Sequence, residues 1–341
     1  MTGVGSRLVP PGGPVAYAGE PGAFAEDAVI AAFGDVARRP VGSFRDVFVA
    51  VSDASAAAGL LPIENLLNGT VRETFDLLLE HDLAVVGEVV VPVRLCLAAL
   101  PGQSLDDIVR VYSHIQALGQ AEAFLRMRPW MTLTTYNTAG AGKLIRDTGE
   151  RGAAAVLSPR AAAVFDLEVL ADGIQGAADN RTRFLVVARQ AAGSEAGVAE
   201  AAAAGSGARV EDGVAAVPAA ARATTAPTGA TAAPTGASAA AAGRTRGEEG
   251  GPRRTMLVFA VRNEPGTLLR ALRAFAERGV NLSSLESRPS RTAAWEYVFW
   301  ADVDADAAEP ACAAAIEDLH TATTMVRILG SYPRARETVG G

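Results

Sequence analysis

Asn180-Arg181-Thr182-Arg183-Phe184 stands at the head of an apolar run, Leu185-Val186-Val187-Ala188, so a hydroxyl and a guanidinium arrive together where a strand enters a sheet. A guanidinium grips a carboxylate through two parallel N–H bonds, and a placed hydroxyl donor helps a poor leaving group depart. Arg183 is the candidate clamp for a substrate carboxylate, but the alternation of a strand can equally turn it away from the cleft. Upstream, Leu61-Pro62-Ile63 ends in Glu64 and Asn65, where a carboxylate is costly to bury unless it is paired or used; capping of the next loop is the plainer role for the pair. His114 follows Ser113 at another strand end, and nothing nearby in sequence orients it as a catalytic base, so a hydrogen-bonding role at a cleft edge is expected.

The segments that must position these groups alternate short apolar runs with helical spacing, the pattern of a parallel α/β sheet. Strands are predicted at 15–18, 57–63, 84–91, 95–99, 109–112, 131–135, 153–157 and 184–187, and helices at 23–33, 44–51, 71–80, 116–126, 139–146 and 159–165. The β-rich middle, with the chain returning at 184–187, implies two lobes. Several strands run into capped helices: Ser113 with Gln116 and Thr70 with Glu73 read as capping boxes, Ser158 precedes Pro159, and Asn137 precedes Thr138 and Ala139. Such junctions gather on one sheet edge, where free N–H groups favour anions, so a dianionic small molecule suits a crevice between the lobes.

At 341 residues more than one core is expected. The net charge of -7 and the lack of a dense cationic block argue against nucleic acid as a partner. Cys96 and Cys312 lie far apart in apolar sequence, as buried thiols in a reducing cytoplasm would. The opening residues lack a signal-type apolar stretch, and 83–100 is broken by Glu88, Pro92 and Arg94, so neither export nor a membrane span is expected. Residues 191–252 are rich in Ala, Gly, Thr and Pro and poor in large apolar side chains, which predicts a flexible linker between parts at 14–190 and 253–334. The second part reads βαββαβ, a ferredoxin-like order: 256–261, 266–278, 280–288, 295–302, 309–320 and 325–331.

Taken in order, several short segments resemble the prephenate dehydratase family: Tyr17-Ala18-Gly19-Glu20-Pro21-Gly22-Ala23-Phe24, Pro62-Ile63-Glu64-Asn65, Ser113-His114-Ile115-Gln116-Ala117-Leu118, Asn137-Thr138-Ala139-Gly140-Ala141 and Thr182-Arg183-Phe184. Pro265-Gly266-Thr267-Leu268, Asn281-Leu282 and Glu286-Ser287-Arg288-Pro289 are similar to segments of an ACT domain. The resemblance implies a periplasmic-binding-protein-like catalytic fold and a carbon-oxygen lyase that takes prephenate to phenylpyruvate, losing water and carbon dioxide. It implies no metal or cofactor, control by L-phenylalanine, a homodimer or homotetramer, and a cytoplasmic protein. Thr182, Glu64 and Asn65 map onto catalytic positions; Arg183, Phe184, Ser113, His114, Gln116, Thr138 and Ala139 onto substrate-binding ones. Asn263, Pro265, Gly266, Thr267, Leu268, Asn281, Leu282, Glu286, Ser287, Arg288 and Pro289 map onto the effector site.

The chain departs from the family pattern at Ala23, Ala25, Leu66, Arg94, Ile115 and Asn137, and the first three lose hydroxyls. Arogenate in place of prephenate, decarboxylation without loss of the hydroxyl, and a non-catalytic amino-acid sensor remain alternatives. The resemblance to an ACT domain further implies that truncation after about Gln190 abolishes inhibition by phenylalanine while leaving some dehydratase activity.

Overall fold

The computed structural model describes residues 8, 11–177, 179–190, 251–289 and 297–335. The expected linker lies outside the described residues except for Gly251 and Pro252, as do the first two positions of the strand expected from Trp295.

The first lobe holds β1 (Val15–Ala18), α1 (Phe24–Phe33), β2 (Arg38–Val41), α2 (Phe44–Ser52), β3 (Ala58–Asn65), β4 (Gly69–Thr70), α3 (Arg72–Glu80) and β5 (Ala84–Pro92). The chain crosses to a second lobe of β6 (Cys96–Ala99), β7 (Arg110–Ser113), α4 (Ile115–Gln120), α5 (Glu122–Leu125), β8 (Met131–Thr134), α6 (Thr138–Thr148), β9 (Ala153–Leu157), α7 (Pro159–Val164) and β10 (Glu168–Asp172). It then returns as β11 (Arg181–Ala188), between β3 and β5 in the order β2-β1-β3-β11-β5. The second sheet runs β10-β6-β9-β7-β8. Both sheets are mixed: β1 is parallel to β2 and β3, and β7 to β8 and β9, whereas β11 is antiparallel to both of its neighbours. Thus β11 begins at the edge where β1 and β3 end.

The C-terminal part forms β12 (Arg253–Val261), α8 (Thr267–Ala276), β13 (Leu282–Pro289), β14 (Tyr297–Val303), α9 (Pro310–Ala322) and β15 (Met325–Pro333), with sheet order β13-β14-β12-β15. From Met256 onward β12 is an unbroken apolar run because both faces are covered. Leu257, Phe259 and Val261 pack under the two helices, while Met256 and Val258 join a core with Phe75, Leu77 and Val85 of the first lobe. Trp300 of β14 meets the Phe75 ring edge-on at 4.7 Å in that core.

At Gly330 of β15 the sheet rides against β5 so closely that a Cβ would fall 1.9 Å from the Val85 carbonyl oxygen. Since backbone is the obstacle, Gly330→Ala is expected to lift the C-terminal sheet off the lobe and destabilise the protein by about 1–3 kcal/mol, as overpacking does. Denaturant unfolding of the full chain measures this, and an unchanged midpoint would contradict the close packing.

Candidate active site and effector pocket

Residues 93–95, and 173–177 with 179–180, run between the lobes, and the Val93 N–H donates to the Asn180 carbonyl at 2.7 Å. Thr182 lies just past the second crossing, where β11 faces Asn65 across the antiparallel ladder. Asn65 is buried, and its amide orientation follows from its partners: Oδ1 accepts from the Leu67 and Asn68 N–H groups at 3.1 and 2.9 Å, so Nδ2 is the donor. Nδ2 reaches Thr182 Oγ1 at 2.9 Å, Asn180 Oδ1 at 2.9 Å and the Arg181 carbonyl at 3.1 Å. Because Asn65 donates into Oγ1, the threonine keeps its own proton to give elsewhere.

Arg183 turns to the opposite face of β11. It pairs with Glu88 at 3.2 Å, Glu64 at 3.5 Å, and Asp302 of the C-terminal sheet at 2.6 Å. Burial works against its charge, but Asp302, Tyr332 and Glu88 hold its pKa above the ordinary arginine value. This corrects the expectation that Arg183 clamps a substrate carboxylate. Glu64, opposite Arg183 in the ladder, lies on the same face and away from the Thr182 hydroxyl. Phe184 packs in the first-lobe core with Tyr17, Val29 and Val186.

In the second lobe, the parallel strands β7, β8 and β9 end together, and each feeds a helix. Asn137 Oδ1 caps α6 by accepting from Gly140 N at 2.6 Å, and Ser158 Oγ caps α7 from Ala161 N at 3.0 Å. Thr138 and Ala139 form the first turn of α6. The two expected capping boxes are absent. Ser113 is buried and donates to the Val156 carbonyl at 2.6 Å, leaving His114 to cap α4. Thr70 donates to Glu286 of the C-terminal part at 2.5 Å, and Val71 precedes α3 without a side-chain cap. Burial pushes the His114 pKa below its ordinary value, so the ring is neutral at pH 7; Nδ1 accepts from Gln116 N, and Nε2 carries the proton. The Gln116 side chain is exposed.

Residues 19–27 carry contacts across the lobes that the sequence reading missed. Glu20 accepts from Tyr136 Oη at 3.0 Å and from Lys143 Nζ at 3.1 Å. Glu26 is buried, and burial pushes its pKa up; Arg160, the Gly22 N–H and Arg38 outweigh this and hold it below the ordinary value. Lys143 is the chain's only lysine, among 31 lysines and arginines in all, a signal available in the composition. Arg94 pairs with Asp172.

The C-terminal part holds a pocket of about 250 Å³ bounded by Asn263, Gly266, Thr267, Leu268, Tyr297 and Phe299. Gly266 takes φ +84°, and Thr267 Oγ1 closes the turn on the Arg262 and Glu264 carbonyls at 2.7 and 2.8 Å. Pro265 sits in the same turn, between Glu264 and Gly266, and the remaining expected effector residues lie elsewhere. Asn281 donates to Asp304 at 2.9 Å, Leu282 packs under the helices, and Ser287 and Pro289 are exposed. Glu286 and Arg288 dock the sheet on the first lobe, Arg288 through the Arg72 carbonyl at 2.7 Å and Asp76 at 3.1 Å.

A sequence model of the family described as prephenate dehydratase matches residues 15–192, and one described as ACT domain matches 255–321. A bifunctional chorismate mutase/prephenate dehydratase of Aquifex aeolicus (strain VF5) is 32% identical over 324 residues, taking in 94% of this chain and 74% of that one. Arogenate dehydratase 5, chloroplastic, of Arabidopsis thaliana is 34% identical over 337 residues, covering 94% of this chain and 67% of its own length. The crystal structure of prephenate dehydratase in complex with L-Phe from Arthrobacter aurescens matches with a TM-score of 0.71 at 28% identity, covering 94% of this chain and 90% of that one. GqqA, described as a novel type of quorum quenching acylase, matches with a TM-score of 0.73 at 28% identity, covering 94% and 98%.

Proposed function

The chain belongs to the prephenate dehydratase family and is a dehydratase carrying an ACT domain, and from that premise we propose that it converts prephenate to phenylpyruvate under phenylalanine control. The reaction breaks the bond between the ring and its carboxylate; that electron pair enters the ring as the C4 hydroxyl leaves. With one proton the leaving group becomes water, and the carboxylate becomes carbon dioxide. The observation that carries the assignment is the Asn65–Thr182 contact, which leaves the threonine proton free for the departing oxygen. Thr182 is the donor and Asn65 orients it. His114 Nε2, Gln116 and the first turn of α6 at Thr138 and Ala139 supply N–H donors for the carboxylates.

Purified protein given prephenate should produce phenylpyruvate, followed by its absorbance, and the same protein given arogenate tests the alternative substrate. Turnover of neither would overturn the reading.

The pocket beside Gly266 is the place for phenylalanine, its charged groups meeting the turn backbone and its ring meeting Phe299 and Leu268. Leu269 and Tyr297, both exposed, border the same pocket and support pairing of two ACT domains into a dimer, which light scattering would measure. Free, buried Cys96 and Cys312 support a cytoplasmic location. Gly266→Val would force a branched residue to positive φ, costing about 1–3 kcal/mol. Phenylalanine binding by calorimetry is therefore expected to weaken about tenfold, and undiminished binding would move the effector site elsewhere.

A further inference from the structure

Two adjacent residues on each of two strands divide their faces in the same way. Thr182 and Asn65 meet on one face; Arg183 and Glu64 meet on the other, under the ACT sheet. The β11–β3 register shifts between Arg183 and Phe184, the kind of irregularity that re-aims a side chain next to a site. Beyond Arg183 stands Asp302 of β14, and the same strand presents Tyr297 and Phe299 to the pocket beside Gly266. One strand therefore borders the effector pocket near its start and holds Arg183 near its end.

We propose that Arg183 is a positioning residue: through Asp302 it ties the placement of the Thr182 hydroxyl to the ACT sheet, so that occupation of the pocket beside Gly266 is felt at the site of dehydration. The ion cluster suits this task. Arg183 is 13% exposed, Glu88 1% and Asp302 4% at the side chain, and Arg254 of β12 holds Glu88 at 2.9 Å from the ACT side. The cavity lined by Arg183, Asp302, Trp300 and Glu286 measures about 10 Å³, no more than one water requires, so the guanidinium is closely packed on that side. A shift of Asp302 passes to β11, where Thr182 is the next residue. A misplacement of about 1 Å in a reacting group costs on the order of a hundredfold in rate.

The inference rests on the assignment of Thr182 above, and full-length variants test it separately. Asp302→Asn removes the charge and keeps the shape; it is expected to lower kcat about tenfold or more with KM nearly unchanged. In a Thr182→Ala background the same substitution should cost no more than about twofold, because the group it positions is gone. Phenylalanine titrated with and without a non-reactive dicarboxylate analogue of prephenate should show coupling in the wild-type chain, typically about 5–150-fold, that collapses in Asp302→Asn. If Asp302→Asn fails to fold, Arg183→Met with Asp302→Leu leaves neither partner as an unpaired buried charge and carries the same expectations.

Amide exchange at Thr182 and Phe184, faster in the Asp302 variant, reads the link without any turnover. A wild-type chain without dehydratase activity therefore refutes the site assignment and still leaves the link measurable. Equal losses of kcat in both backgrounds with coupling intact would overturn the proposal and reduce the cluster to a fastening between domains.

Discussion

Thr182→Ala is expected to lower kcat by about a hundredfold or more, while Thr182→Ser keeps most of the rate. Removing one placed donor to developing negative charge costs about 3 kcal/mol, and each 1.36 kcal/mol is a factor of ten. The serine variant retains the hydroxyl, and Asn65, fixed by the Leu67 and Asn68 N–H groups, still donates into it. Only the threonine methyl is lost, and with it the χ1 stiffness of a β-branched residue. Steady-state phenylpyruvate formation by the three proteins measures the ratio. Near-normal turnover in the alanine variant would remove Thr182 from the chemistry, and an equally poor serine variant would shift the weight from the hydroxyl to packing by the methyl.

Much of this arrangement is legible in the sequence, and what is not has identifiable causes. The ACT element order follows from the sequence because its elements are short apolar runs and helical repeats separated by turns at Gly266 and Gly279. Ser158 and Asn137 announce their helices because the side chain that caps is adjacent to the turn it caps. Thr70 and Ser113 mislead on the same rule: each hydroxyl found a partner remote in sequence, Glu286 for one and Val156 for the other.

The strand β2, Arg-Arg-Pro-Val, shows no apolar alternation and exists because β1 offers it an edge. The helix predicted over 116–126 breaks at Ala121 into α4 and α5. Alternation requires that Thr182 and Arg183 face opposite ways; it says nothing of which face the ACT sheet covers. That choice is made by Arg254 and Asp302, which lie beyond the linker. The role of Glu286 and Arg288 as docking residues was hidden for the same reason, since local sequence carries no mark of a partner 216 residues away.

Truncation after Gln190 is expected to destabilise the catalytic part, by a fall of about 10 °C in thermal midpoint or by loss of soluble protein. The resemblance to an ACT domain implies a fragment that keeps some activity and escapes inhibition; the packing at the interface adds a cost in stability. Glu88 would lose Arg254 and the Ala335 N–H, and Arg183 would lose Asp302. Arg183 and Glu88 keep each other, so the roughly 3–5 kcal/mol for removing one partner of a buried ion pair is the upper bound. For a domain of this size 1 kcal/mol shifts the midpoint by about 2–4 °C, so a ceiling of roughly 6–20 °C follows, less where water reaches the freed charges. Phe75, at 5% exposure beneath Trp300, would become part of an open apolar patch with Leu77 and Val85. Phe75→Ser separates this cause from the charges because its sign reverses: in the full chain it empties a packed site and destabilises, whereas in the fragment it should recover soluble protein. A fragment that is soluble, active and unchanged in midpoint would mean that the ACT sheet rests on the lobe without supporting it.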